Sequence, residues 1–222
     1  MVSARAQFLG AGHYRSLASA LLELACACRI PGDLIMEVGS GTAYYLEQVV
    51  EAHPNFLGLA VDLSKHAARR VAKVHARVGS IVGDVWDRLP IADAVVGLAL
   101  DIFAPRQPEE LHRTLHPEGT MLVVTPQQDH LVELRRVLRL LKVDPDKESR
   151  LAKGFEPYFL LAAKRLLAWP MRLTKQSVAD VIGMGPDARH VVPTTMATQI
   201  AGLPDRITVT AAVAIHSYRR TR

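Results

Sequence analysis

Between Leu34 and Tyr45 the chain reads LIMEVGSGTAYY: an apolar run, an acidic residue, two glycines spaced by one, then residues that can open a helix. Gly39 and Gly41 allow a tight turn and let the backbone approach a ligand with no Cβ in the way. Strand, glycine turn and helix in that order form the usual ligand-binding corner at the carboxyl end of a parallel strand. A chain carrying this corner is constrained to folds that contain a parallel sheet.

The flanking sequence agrees. Short apolar runs at Leu34–Val38, Phe56–Val61, Ser80–Val82, Ala94–Ile102 and Thr120–Val124 alternate with helical stretches at 43–52, 64–77 and 107–115. Strands apolar on both faces and separated by helices indicate a parallel sheet covered on both sides. Ahead of them, residues 3–28 read as one helix, ended by Pro31-Gly32-Asp33. Beyond Pro126 the spacing predicts an amphipathic helix over His130–Lys142 with Asp129 as its N-cap. Residues 154–170 fit either a helix or a long strand. Thr174–Ile182 reads as a helix capped by Thr174, Met184–His190 as a loop, and Arg206–Tyr218 as a late strand. The expected architecture is α/β and Rossmann-like; five parallel strands followed by a late strand resemble the class I methyltransferase pattern, and that resemblance implies a mostly parallel seven-stranded sheet, an antiparallel last strand and helices on both faces. A single domain is expected over 1–222, with a helical cap (1–30), a cofactor-binding core (31–126) and a substrate-side region (127–222).

Which cofactor the turn accepts is decided by two side chains. A dinucleotide turn needs a third glycine where Tyr44 stands, and Tyr44 obstructs access of a pyrophosphate to the helix N-terminus. Glu37 ends the first strand, where it repels phosphate but suits an ammonium group. The turn therefore favours S-adenosylmethionine (SAM), whose product is S-adenosylhomocysteine, over NAD. Asp62, at the end of the second strand, is placed to accept from ribose hydroxyls, unless it only caps the next helix, a part Ser64 can also fill. Asp84 follows the third strand and is placed for the adenine amine, with Trp86 nearby to stack or to pack.

Composition bounds the rest. A net charge of +5 fits a partner that is a polyanion without requiring one. The only cysteines, Cys26 and Cys28, lie on one helix with side chains about 200° apart, so they pair poorly. Burial in the core is their expected role, no metal is expected in the chain, and a reducing cytoplasm is the expected compartment. No secretory signal is legible at Met1–Gln7, and no apolar run is long and uninterrupted enough for a membrane span.

Taken in order, FLGAGHY (Phe8–Tyr14), EVGSGTAYY, VDLSKHAAR (Val61–Arg69), RLP (Arg88–Pro90), IFAPR (Ile102–Arg106) and TPQQDHLVELR (Thr125–Arg135) resemble the bacterial 23S rRNA guanine-N1 methyltransferases, a family that includes macrolide-resistance members. The resemblance implies SAM contacts at Tyr14, Gly41, Thr42 and His130, beside Glu37, Gly39, Asp62 and Asp84 from the residue reading. It implies 23S rRNA as the partner, with no membrane, and homodimerisation stays open. The chain departs from the family turn at Glu37, Ser40, Thr42 and Ala43. The family's N-terminal zinc-binding module also has no counterpart after Met1, so the expectation is a member lacking it.

On the substrate side, Asp101 and Phe103 follow the fourth strand. Phe103 is placed to stack on a base. Asp101 either accepts a proton or simply ends the strand. Arg135, Arg136, Arg139 and Lys142 share one helical arc and, with Arg189, are the RNA-contact candidates. Two other functions stay open: methylation of a small molecule, and a catalytically idle SAM-binding domain.

Overall fold

The computed structural model describes residues 1–138, 140, 144, 146–185 and 193–221. Seven strands, β1 (Leu34–Val38), β2 (Leu57–Asp62), β3 (Val78–Val82), β4 (Val96–Ile102), β5 (Leu115–Pro126), β6 (Phe159–Thr174) and β7 (Arg206–Arg220), form one sheet in the order β3-β2-β1-β4-β5-β7-β6. Strands β1 to β5 pair in parallel, with Val38 level with Val61 on one side and Asp101 on the other. The last strand runs antiparallel, as the sequence predicts for a class I methyltransferase.

By packing, the chain divides into two compact units: Met1–Ser16, Pro126–Pro145 and Leu166–Val213 form the first, and the remainder forms the second. In the second unit every residue of β4 is buried, which is what a central parallel strand covered on both faces requires. Helices α2 (Arg15–Ala27, nearly all in this unit), α3 (Tyr44–Ala52), α4 (Lys65–Val71), α5 (Pro108–Thr114) and α7 (Lys147–Phe155) belong here. Its core gathers Met36, Val61, Leu111 and Met121 with the rings of Phe155, Phe159 and Tyr218. Each fully buried side chain of this size stabilises the fold by about 1.5–3 kcal/mol. In the first unit α1 (Val2–Gly10) packs on α8 (Lys175–Met184), beside α6 (Val132–Leu138) and α9 (Pro193–Ala201). Thr174 caps α8 as expected, its hydroxyl accepting from Ser177 N at 3.1 Å.

Several boundaries differ from the sequence expectation. The helix expected over 3–28 is two, interrupted at Ala11–Tyr14, where Gly12 takes φ +78°. The helix expected from His130 begins at Val132, because Leu131 adopts φ +56° and leaves His130 in a turn; Asp129 is therefore not its N-cap. Residues 159–174 resolve as strand, and α7 and α9 were not anticipated. β6 buries only Phe159, Met171 and Leu173 and exposes Leu160, Leu161 and Leu166, so its in–out alternation is confined to the second half, from Leu167 on. Cys26 is exposed and Cys28 half-buried, contrary to a core role, because α2 turns other residues, Leu17, Leu21 and Ala25 among them, inward.

Candidate active site

The turn after β1 is built from residues with left-handed backbone: Gly39 (φ +59°), Gly41 (φ +57°) and Ala43 (φ +57°). Ala43 N donates to Ser40 O at 2.9 Å, and Ser40 N donates to Val61 O at 3.1 Å, which fastens the turn to β2. Gly39 is tight for a second reason. A Cβ there would lie 2.4 Å from the Ala104 Cβ, so the turn after β1 and the loop after β4 are in direct contact.

Two carboxylates brace this turn. Glu37, almost fully buried, accepts from Leu46 N at 3.1 Å, which places its charge at the N-terminus of α3 where free amides favour an anion. Asp62 accepts from Gly41 N at 2.7 Å and from Ser64 N at 2.8 Å, and it is Ser64 that caps α4. Asp62 has lone pairs to spare, since two carboxylate oxygens offer about four acceptor positions. Asp84 accepts from Trp86 N at 3.0 Å, and Trp86 is 61% exposed. Thr42 is buried in the turn. The hydroxyls of Ser40, in the turn, and Thr125, near the end of β5, are buried without a hydrogen-bond partner among the described residues. Orphaned hydroxyls of this kind, beside glycines that open the backbone, fit a polar ligand such as SAM.

At the end of β4, Asp101 is fully buried and Arg106 Nε lies 3.0 Å from its Oδ2. Arg106 Nη2 also donates to Ala104 O at 2.8 Å. Between them Phe103 is half-buried at φ +58°, a conformation rarely adopted by a bulky residue, and its N donates to Val124 O at 3.2 Å. Strain of this kind gathers at functional loops.

In the other unit, the Tyr14 hydroxyl lies 3.2 Å from His130 Nε2. Ala212 N donates to His130 Nδ1 at 3.2 Å, which places the ring proton on Nε2 and makes His130 the donor to Tyr14. Burial pushes the Tyr14 phenol well above the ordinary tyrosine range, so it stays protonated. Around Tyr14 stand Phe8 at 5.2 Å and Trp169 at 5.6 Å between ring centroids, both edge-on. Trp169 Nε1 donates to His13 O at 2.9 Å, and His13 meets Ser177 Oγ at 3.1 Å. The sequence reading missed Trp169, His13 and Ser177 in this cluster. FLGAGHY supplied a signal for His13, but nothing local marks Trp169.

Among the RNA-contact candidates, Arg136 is exposed, while Arg135 is half-buried and donates to Gln128 O. Arg139, Arg189 and Lys142 lie outside the described residues. Among the described residues no group of three His, Cys, Asp or Glu side chains could hold a metal ion, and no helix is long and apolar enough to cross a membrane.

A fold of this order, with its glycine turn at the carboxyl end of β1, is that of the class I SAM-dependent methyltransferases. A SAM-dependent methyltransferase from Thiobacillus denitrificans, solved with S-adenosylhomocysteine, superposes with a TM-score of 0.56 at 16% identity over 92% of this chain and 91% of that one. No family model matches the sequence. Curated relatives do. A Micromonospora griseorubida protein named as a candidate 23S rRNA (guanine-N(1)-)-methyltransferase is 42% identical over 99% of this chain and 79% of its own length. The 23S rRNA (guanine(748)-N(1))-methyltransferase of Streptomyces fradiae is 43% identical over 96% and 77%. The chain belongs to the family of 23S rRNA guanine-N1 methyltransferases.

Proposed function

We propose that this chain transfers the methyl group of SAM to N1 of a guanine in 23S rRNA. The observation that carries the reading is identity of 42–43% to two such proteins along nearly the whole chain. When bound, SAM supplies a methyl group on a sulfonium, ready for in-line displacement. The residues proposed to hold it in the second unit are Glu37, Gly39, Gly41 and Thr42 in the turn, Asp62 for the ribose and Asp84 for the adenine amine. Tyr14 and His130 keep the cofactor role that the family resemblance gives them.

The division of labour follows from the chemistry. Methyl transfer between a sulfonium and a positioned nitrogen needs alignment more than covalent assistance, and a rigid turn pinned by Asp62 and Glu37 provides alignment. Guanine N1 carries a proton at neutral pH, so the acceptor side must favour its loss. Phe103, on the loop after β4, is proposed to stack on the base, and Asp101 to serve the same loop. Arg135, Arg136, Arg139 and Arg189 are proposed to meet the RNA backbone.

The test is transfer of labelled methyl from SAM to unmodified 23S rRNA, with the product mapped by reverse-transcription arrest at the modified guanine. Guanine 748, named for the Streptomyces fradiae relative, is the first position to inspect. Label appearing only in small metabolites, with rRNA unlabelled, overturns the reading.

A further inference from the structure

Arg106 is unusually well held for a residue on a loop. Its Nε faces the fully buried Asp101 carboxylate at 3.0 Å and its Nη2 donates to Ala104 O at 2.8 Å. The side chain is 14% exposed, and Nη1 has no hydrogen-bond partner among the described residues. Ala104, to which the guanidinium is tied, is the residue whose Cβ fills the space over Gly39. The guanidinium is therefore held between a buried anion and the Ala104 carbonyl, to which Nε also donates at 3.3 Å, beside the glycine turn, and the Nη1 amino group is left over.

We propose that Arg106 is a catalytic residue that donates from Nη1 to O6 of the acceptor guanine. The proposal rests on the guanine-N1 reading above. As N1 loses its proton to water, the negative charge spreads onto O6, where a fixed guanidinium donor stabilises it. The N1 electron pair then forms the bond to the methyl carbon, and the carbon–sulfur bond breaks with its pair returning to sulfur. The anionic base and the cationic sulfonium become a neutral methylguanine and a neutral thioether. Asp101 is then a positioning residue, holding the cation, rather than the group that takes the proton. A flat, forked donor suits the planar N1–O6 edge better than a lysine ammonium does.

The experiment compares wild type with Arg106→Ala on unmodified 23S rRNA, from neutral to alkaline pH, with SAM affinity measured by calorimetry. The expected result is a loss of about 10²-fold in kcat at neutral pH, the scale of one oxyanion donor, with SAM affinity unchanged. The variant's rate should keep climbing with pH towards the ionisation of the free nucleobase, where wild type has already levelled off. Added guanidinium ion should restore part of the rate. If Arg106→Ala does not fold, Arg106→Lys keeps a cation beside Asp101 and carries the same test, with a smaller loss and the same alkaline displacement. An unchanged rate and pH profile overturns the proposal, and so does a loss confined to SAM affinity. A wild type that binds SAM yet labels no guanine overturns the function reading, and is distinguished by that control.

Discussion

Ala43 occupies a backbone conformation that favours glycine, φ +57° and ψ +25°, at the N-terminus of α3. For an L-residue with a Cβ the left-handed region costs about 1–2 kcal/mol. Ala43→Gly is therefore expected to raise the unfolding free energy by about 1 kcal/mol in urea, less the extra backbone entropy glycine brings to the unfolded chain. No gain would show that the turn relaxes in solution. At Gly39 the opposite holds: Gly39→Ala drives a methyl into Ala104 and is expected to cost about 1–3 kcal/mol, read in the same titration. Gly41→Arg is expected to abolish calorimetric SAM binding while leaving the protein soluble; retained affinity would misplace the turn. The glycines and the acidic strand ends were legible because their types are dictated by local backbone needs. What Asp62 does for Gly41 N was not, since a contact over 21 residues leaves no local pattern.

At the scale of elements, the short helix α6 is tied to β7 by one side chain. Glu133 accepts from Thr210 N at 2.9 Å and from Thr210 Oγ1 at 2.7 Å, which gives the acidic residue of the DHLVEL motif a structural task. Burial alone would raise this carboxyl, but the hydrogen bonds from Thr210 and the charge of Arg136 outweigh it and hold it below the ordinary value of 4.5. A carboxylate with a lowered folded pKa stabilises fully above its unfolded value and loses that contribution as pH falls through the folded one. Glu133→Gln should thus be less stable than wild type by about 1–3 kcal/mol at neutral pH, and the gap should close below pH 4.5. A gap that persists in acid would count against the pairing. The central parallel strands β1 and β4 were legible because both faces are buried and the runs are largely apolar. The start of α6 was not, because Leu131 reverses the chain at a residue type that gives no warning. Nor was β6, whose apolar residues stand mostly in solvent at the end of the strand order.

For the whole molecule, a charge of +5 is the property most relevant to a polyanionic partner. Binding of a 23S rRNA fragment is expected to weaken linearly on a log–log plot against salt, by about 0.7 per phosphate contact. Arg136→Glu should reduce that slope by about 0.7, the loss of one contact, while leaving SAM affinity intact. A salt-independent affinity would remove the backbone-contact reading. The class of fold and the family were legible from motif order alone, but the grouping of distant segments into two units was not. Those units each hold one of the chain's two tryptophans. Trp86 is 61% exposed, whereas Trp169 is half-buried, bonded through its indole N–H and edge-on to Tyr14. Their emission should differ in colour, red for Trp86 and blue for Trp169. A Trp86→Phe variant then gives a protein whose remaining fluorescence, from Trp169, reports melting of the tyrosine–histidine unit alone, so the loss of that unit can be followed by light with no attached dye.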